Sequence, residues 1–130
     1  RHQPDEEAEV VTLTGSVEAS VNDGKINVVC KSNLMPGVIT EVSLVSYTGE
    51  SLVTKKITVE EGKDIEASFD IDPEWDGAVY ASVAASPSTG NQPNDVKNTY
   101  GRWFQNVDSE FLIWDKTKNI FIIQSEKIEF

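Results

Sequence analysis

Hydrophobic and polar residues alternate along most of this chain with a period of two. The clearest run is 65–71, where Ile65, Ala67, Phe69 and Ile71 are separated by charged or small polar residues. Because successive side chains of a β-strand point to opposite faces, this run predicts a strand with one face in the core. The same alternation recurs at 11–21, 26–30, 39–47, 53–59 and 79–85. We therefore predict a chain built almost entirely from short strands.

Turn sequences that contain glycine separate these strands at intervals of roughly 8 to 12 residues, a spacing typical of two-sheet sandwiches. Asp23-Gly24 tolerates the positive φ angles of a tight hairpin turn. The strand before this turn should therefore pair with the strand at 26–30. In the strand at 53–59, a bulge flanked by Lys55 and Lys56 would shift the register, and the pattern alone leaves this open.

The segment 87–109 interrupts the alternation. Three features of this segment predict one short helix near 93–100. They are a proline at the first helical position, an acidic residue in the first turn and Gly101 as a C-terminal cap. Val96 and Tyr100, four residues apart, would share the inward face of that helix.

The end of the chain predicts a closing hairpin, because two apolar runs flank a turn expected from Lys116 to Asn119. Together with the earlier strands, this hairpin predicts an all-β fold, an immunoglobulin-like two-sheet antiparallel β-sandwich with one short helix.

A chain of 130 residues is long enough for one domain with its own core, which we assign to residues 10–130. Residues 1–9, RHQPDEEAE, are polar, acidic and without periodicity, and are predicted to form a flexible tail or tether. The longest aliphatic or aromatic runs, such as Ile120 to Ile123, are far shorter than the roughly 18 residues that a membrane span needs. We expect no membrane-spanning segment.

The chain carries 22 acidic and 11 basic residues, for a formal net charge of -11. Acidic residues are concentrated between Glu60 and Asp76. Such a field repels phosphate backbones, so nucleic acid is not expected as a partner.

Residues able to do chemistry are few. Cys30 is the single cysteine and lies in an apolar run, which predicts a buried thiol without an intrachain disulfide. His2, the single histidine, falls in the predicted tail. Asp70, Asp72 and Asp76 have a spacing that could bring oxygens around calcium, but the residues that follow break the calcium-loop pattern and favour a turn. We expect no metal or other cofactor, and no enzymatic activity.

Aromatic residues are the remaining candidates for a binding site. The predicted binding residues are Trp75, Tyr100, Arg102, Trp103 and Trp114. Indole faces could stack on sugar rings, and Arg102 could stack on Trp103. Trp114 is out of phase with Phe111 and Ile113, which predicts that it faces outward. The alternative interpretation is that these aromatic residues seal the open ends of the sandwich core.

Two segments of the chain, NLMPGVITEVSLVSYTGESLVTKKITVEEGK and SPSTGNQPNDVKNTYG, resemble small immunoglobulin-like domains in secreted proteins and lipoproteins of Gram-positive bacteria. The second segment matches through Gln92, Pro93, Val96, Tyr100 and Gly101. The resemblance covers roughly residues 15 to 104. It implies an immunoglobulin-like fold and an exported, cell-envelope setting, it places any lipid anchor outside this segment, and it carries over no catalytic residues.

These observations lead to one expectation about function and one alternative. We expect a non-catalytic module, extracellular or at the cell envelope, that serves interaction, adhesion or spacing. Its partner would be a protein or a cell-surface polysaccharide. The alternative is a carbohydrate-binding module that uses exposed aromatic residues.

Overall fold

The computed structural model describes residues 3–130, which are predominantly β-structure. In chain order the elements are β1 (Val11–Thr12), β2 (Gly15–Asn22), β3 (Lys25–Ser32), β4 (Ile39–Ser46), β5 (Ser51–Thr58), β6 (Ile65–Asp70), β7 (Ala78–Ala85), α1 (Asn94–Tyr100), β8 (Val107–Asp108), β9 (Leu112–Asp115), β10 (Lys118–Gln124) and β11 (Ile128–Glu129).

Two antiparallel sheets form the sandwich. The larger has six strands in the order β5-β4-β7-β10-β9, with β11 also paired to β7, and the smaller has the order β2-β3-β6. A further two-stranded piece pairs β1 with β8 in parallel, which the alternation did not predict. The predicted all-β sandwich with one short helix is confirmed.

The core lies between the two sheets and follows the predicted alternation. In the smaller sheet, Ile26, Val28 and Cys30 are buried, and Phe69 joins them from β6. The opposing strand β7 contributes small buried side chains, namely Val79, Ala81, Val83 and Ala85. Burial of apolar surface at roughly 25 cal/mol per Å² is the main force that holds the sheets together.

The first predicted hairpin is confirmed, since Asp23 and Gly24 have φ angles of 51° and 74° and Asn22 pairs with Lys25 across the turn. The strand before it is shorter than predicted. Residues 11–12 belong to β1, which pairs with β8 and not with β3. The continuous strand expected from 11 to 21 is therefore two strands in different sheets.

The register shift in β5 lies elsewhere than at Lys55 and Lys56, where we considered a bulge. Val53 pairs with Leu44 and Ser51 pairs with Val45, so the extra residue is Leu52. The preceding turn explains this position. The turn closes with a 2.8 Å hydrogen bond from the N–H of Ser46 to the carbonyl of Glu50. With the turn closed in this way, β5 has one residue more than β4 before regular pairing begins, and that residue bulges at Leu52.

The helix α1 is confirmed, with one correction at its start. Pro93 is the N-cap, with an extended ψ of 156°, and not the first helical residue. Gly101, with a φ of 89°, ends the helix as predicted and donates its N–H to the carbonyl of Lys97. Val96 and Tyr100 are buried, as expected for the inward face.

The closing hairpin is tighter than predicted, and a separate strand follows it. Lys116 and Thr117 alone form the turn, because Lys118 and Asn119 already pair with β9. After Gln124 the chain leaves β10 and returns as β11, which pairs with the first residues of β7. One edge of β7 thus pairs with β10 and β11 in turn, and its other edge pairs with β4.

The N-terminal segment is hydrogen-bonded to the domain at Asp5. Its N–H donates to Oδ1 of Asn106 at 2.8 Å, and its carboxylate accepts from Nδ2 of Asn106 at 2.9 Å. Gln105 donates to the same carboxylate. The flexibility of residues 1–9 stays a prediction, and Arg1 and His2 lie outside the described residues.

Within residues 3–130, α1 is seven residues long and no helix has the length and apolarity needed to cross a membrane.

Candidate functional site

The two segments that carry the family resemblance meet at the start of β4. The side-chain amide of Gln92 accepts a hydrogen bond from the N–H of Ile39 and donates one to its carbonyl, both at 2.9 Å. It also donates to the carbonyls of Ser86 and Thr89. Gln92 is 2% exposed. A buried amide with this many partners holds the loop before α1 against the sheet, so Gln92 has a structural role.

Tyr100, one of the predicted binding residues, lies in the core. It is 1% exposed, and its ring packs edge-to-face on Phe104 with centroids 5.4 Å apart. Burial raises the pKa of its hydroxyl, and the hydrogen bond from Met35 opposes that shift. This position agrees with the interpretation that large aromatic residues seal the sandwich.

Arg102, Trp103 and Trp114 come together at one end of the sandwich, and we name them the Trp103 cluster. The Cζ atom of Arg102 lies 4.8 Å from the Trp103 ring centroid, so the expected stacking is present. Asn119 connects the two tryptophans. Its N–H donates to the carbonyl of Trp103, and in the β9–β10 hairpin it pairs with Trp114. Both indoles are half-buried.

The phase predicted for β9 is wrong. Ile113 is 53% exposed, while Leu112 and Trp114 are half-buried. Phe111 lies before the strand, where its N–H bonds to the hydroxyl of Ser109 and its ring packs on Phe121. The strand begins after this turn, so Phe111 does not set its phase.

Trp75 lies apart from the Trp103 cluster. Its ring packs edge-to-face on Phe130, with centroids 6.3 Å apart, just before β7 begins. The Trp103 cluster is beyond the other end of β7, because Ala85 pairs with Phe121, close to Asn119. The structure therefore divides the predicted binding residues between two ends of the sandwich and the core.

A cleft between the edges of β5 and β6 contains Trp75, and we name it the Lys55 cleft. Its volume is about 510 Å³, and it is lined by Leu52, Val53, Lys55, Phe69, Asp70, Ile71, Asp72 and Trp75. Lys55 reaches from one sheet to the other. Its Nζ lies 5.0 Å from the centroid of the Phe69 ring and donates to the carbonyl of Ser68.

Hydrogen bonds hold the two carboxylates of the Lys55 cleft. Asp70 accepts from Nζ of Lys25 at 2.9 Å, and this bond and the charge of Lys25 lower the pKa of Asp70. Asp72 accepts from the N–H of Glu74 at 2.9 Å, the bond of a turn initiator. The cleft thus combines an apolar floor, a cation, two carboxylates and an indole, a composition suited to binding a ligand with polar and apolar faces.

The thiol of Cys30 is buried, as predicted. Burial, and to a lesser extent the charge of Asp64, raise its pKa to about 11, so it stays protonated at neutral pH. Across residues 3–130, no group of three or more His, Cys, Asp or Glu side chains is placed to hold a metal ion.

Comparison of the chain with protein-family models, with curated proteins and with solved structures finds no match.

The sequence did not predict the roles of Lys55 in the cleft and of Gln92 in the core. The signal for Lys55 was its phase. It alternates with the same period as Val53 and Ile57, which places a charge on the inward face of the strand. Gln92 belongs to the motif of the resemblance, but nothing in the sequence indicates its burial, because an amide beside a proline is typical of any exposed loop.

Proposed function

We propose that this chain is a non-catalytic, immunoglobulin-like module that binds a partner at the bacterial cell envelope. The observation that carries the proposal is the Lys55 cleft, which presents side chains of several chemical types on two adjacent strand edges and the turn after β6. Recognition sites commonly have this form, with an apolar surface and a few polar groups that give orientation.

The side chains of the Lys55 cleft are held before any partner arrives. Lys55 is fixed by Ser68 and Phe69, Asp70 by Lys25, and Trp75 by Phe130. A site that is ordered in advance loses less conformational entropy on binding, which favours affinity. Rigid strands also keep the spacing of these groups constant.

The resemblance to domains of exported Gram-positive proteins supports the envelope setting. The partner would be a protein or a cell-surface polysaccharide. The carboxylates and Lys55 would serve as hydrogen-bond acceptors and donor for that partner, and Trp75 as an apolar contact.

Binding to cell-envelope fragments tests the proposal. Fluorescently labelled domain is titrated onto fragments isolated from a Gram-positive bacterium, and saturable binding is expected. Lys55→Met keeps an apolar stem and removes the charged donor, so binding should weaken about tenfold or more. Lys56→Met is the matched control, since Lys56 is an exposed neighbour on the same strand. Non-saturable retention, or equal loss in both variants, contradicts the proposal.

A second candidate function is carbohydrate binding at the Trp103 cluster. Two half-buried indoles beside Asn119, one of them stacked by Arg102, favour it. A glycan array tests it with the wild type, Trp103→Ala and Trp114→Ala. Sugar binding that both variants lose, while Lys56→Met keeps it, would support this function, and no binding above background would remove it.

A further inference from the structure

Strand β2 has one open edge. Among the described strands it pairs with β3 alone. The N–H of Ile71 donates to the carbonyl of Gly24, which sets the hydrogen-bonding phase of the small sheet. In that phase the backbone groups of Val17, Ala19 and Val21 point away from β3. The edge therefore presents a row of backbone donors and acceptors over much of an eight-residue strand.

The other sheet edges carry features that oppose strand addition. Strand β5 has two lysines and the bulge at Leu52, and Lys55 occupies the carbonyl of Ser68 on β6. Strand β9 is only four residues long. Strand β2 has no lysine, arginine, proline or bulge, and its one charged residue is Glu18. By the usual means of protecting a sheet edge, β2 is the unprotected one.

A groove of about 750 Å³ runs along this edge, and we name it the β2 groove. Its walls are β2, from Ser16 to Val21, and the segment 125–129. Val21 has the inward phase of the strand but is 43% exposed, because nothing in the described chain covers it there. A strand added to β2 would direct alternate side chains into the groove against Val17, Ala19 and Val21.

The charges around the β2 groove indicate what kind of ligand it would bind. Three carboxylates line it, those of Glu18, Glu126 and Glu129, against one cation, Lys127, which is itself 3.3 Å from Glu129. A second copy of the chain would bring the same Glu18 and a further charge of -11 to this edge. Charge complementarity favours a cationic occupant.

We propose that β2 binds an extended basic peptide, which adds to the small sheet as a fourth strand with apolar side chains facing inward and Lys or Arg facing outward. Backbone hydrogen bonds would supply affinity, and the acidic rim would supply specificity. The inference goes beyond the proposed function, because it assigns a second binding site that shares no residue with the Lys55 cleft.

A blocked heptapeptide of alternating Val and Lys is the probe, titrated into the ¹⁵N-labelled domain in 0.15 M NaCl. Amide shifts are expected at residues 15–22 and 125–129. The matching Val/Glu peptide should bind at least about tenfold more weakly, since it places like charges against the rim. A Val/Lys peptide in which proline replaces a central Val should also fail, because with Val facing inward it lacks an N–H that points toward β2.

Two variants locate the site independently. Ala19→Pro removes an N–H that points away from β3, and edge strands tolerate proline, so peptide binding should be lost from a folded domain. Glu18→Lys leaves the backbone intact and should weaken binding about fivefold. Glu66→Lys makes the same charge change on β6 and should leave the affinity unchanged.

Several outcomes overturn the inference. These are shifts centred on the acidic segment 60–76, equal affinity for the proline-containing peptide, and dimerisation through β2 seen by sedimentation, which would make a second copy the occupant. If peptide binding fails while Lys55-dependent envelope binding persists, only this inference falls. If the peptide binds β2 but Lys55→Met changes nothing on envelope fragments, the proposed function falls.

Discussion

The hydroxyl of Tyr100 accepts a 2.8 Å hydrogen bond from the backbone N–H of Met35, a residue 65 positions earlier in the chain. This bond joins the last residue of α1 to the loop before β4. Pro93 and Val96 pack against Gly37 in the same loop, since a Cβ built at Gly37 would lie 3.7 Å from Pro93 and 4.0 Å from Val96. These contacts attach the helix to the loop that leads into β4.

Removing only the Tyr100 hydroxyl tests this attachment. Tyr100→Phe should lower the free energy of unfolding by about 1–3 kcal/mol, because the Met35 N–H loses its acceptor in a part-buried position. Urea denaturation measures the change. Tyr47→Phe is the matched control, because Tyr47 is 58% exposed, and it should stay within about 0.5 kcal/mol of wild type. Equal effects in the two variants would show that the bond adds nothing.

Phe69 tests the packing of the two sheets. It is buried beneath Lys55, so Phe69→Ala should cost roughly 3–5 kcal/mol through lost burial and the cavity left behind. Chemical denaturation monitored by tryptophan fluorescence gives the value. Phe130→Ala removes the same side chain from a partly exposed position and should cost less. A loss under about 1 kcal/mol for Phe69→Ala contradicts the core assignment.

Cys30 should be unreactive until the domain unfolds. With its pKa raised from 9.0 to about 11, the native thiolate fraction at pH 8 is roughly 100-fold below that of an unshifted thiol. A chromogenic disulfide reagent should therefore react slowly in buffer and rapidly in denaturant. Fast stoichiometric reaction of the native domain is the contrary result.

The same shift makes stability depend on pH. The fold favours the protonated thiol, so this contribution is complete below the unfolded pKa and is lost as pH rises through about 11. Between those values, urea midpoints of the wild type should fall more steeply with pH than those of Cys30→Ala.

Asp5 should release the N-terminal segment in acid. Hydrogen bonds from Asn106, and then Gln105, lower the pKa of Asp5, so its contribution is present above the unfolded pKa and is lost as pH falls through the folded value. The protection factor of the Asp5 amide, whose N–H bonds to Asn106, should therefore fall as the pH drops below about 4. Glu7→Gln should leave this profile unaltered and Asp5→Ala should abolish it; a wild-type profile that is flat with pH refutes the idea.

The parts of the fold that the sequence predicted depend on local rules. Alternation in β6 and β7 identified Phe69 and Val83 as core residues, because a strand turns each successive side chain to the opposite face whatever its neighbours are. The turn at Asp23-Gly24 and the helix end at Gly101 were predicted in the same local way, since few residues adopt a positive φ at low energetic cost.

The candidate sites followed no such rule. Counting from Phe111 misplaced Trp114, because a turn intervenes that the pattern does not mark. The extra residue at Leu52 depends on how the Ser46–Glu50 turn closes. The Lys55 cleft lies between consecutive strands that the fold assigns to different sheets, and the β2 groove lies between segments that are distant in the chain.

By itself the sequence determined that this chain forms strands, which side chains of strands such as β3, β6 and β7 enter the core, and where a helix interrupts the strands. Those properties arise within a few residues, from backbone geometry and apolar burial. Only the tertiary structure decided which strands become edges, that Lys55 bridges one pair of edges, and that β2 is left open, because an edge exists only once non-local pairing has used the other strands.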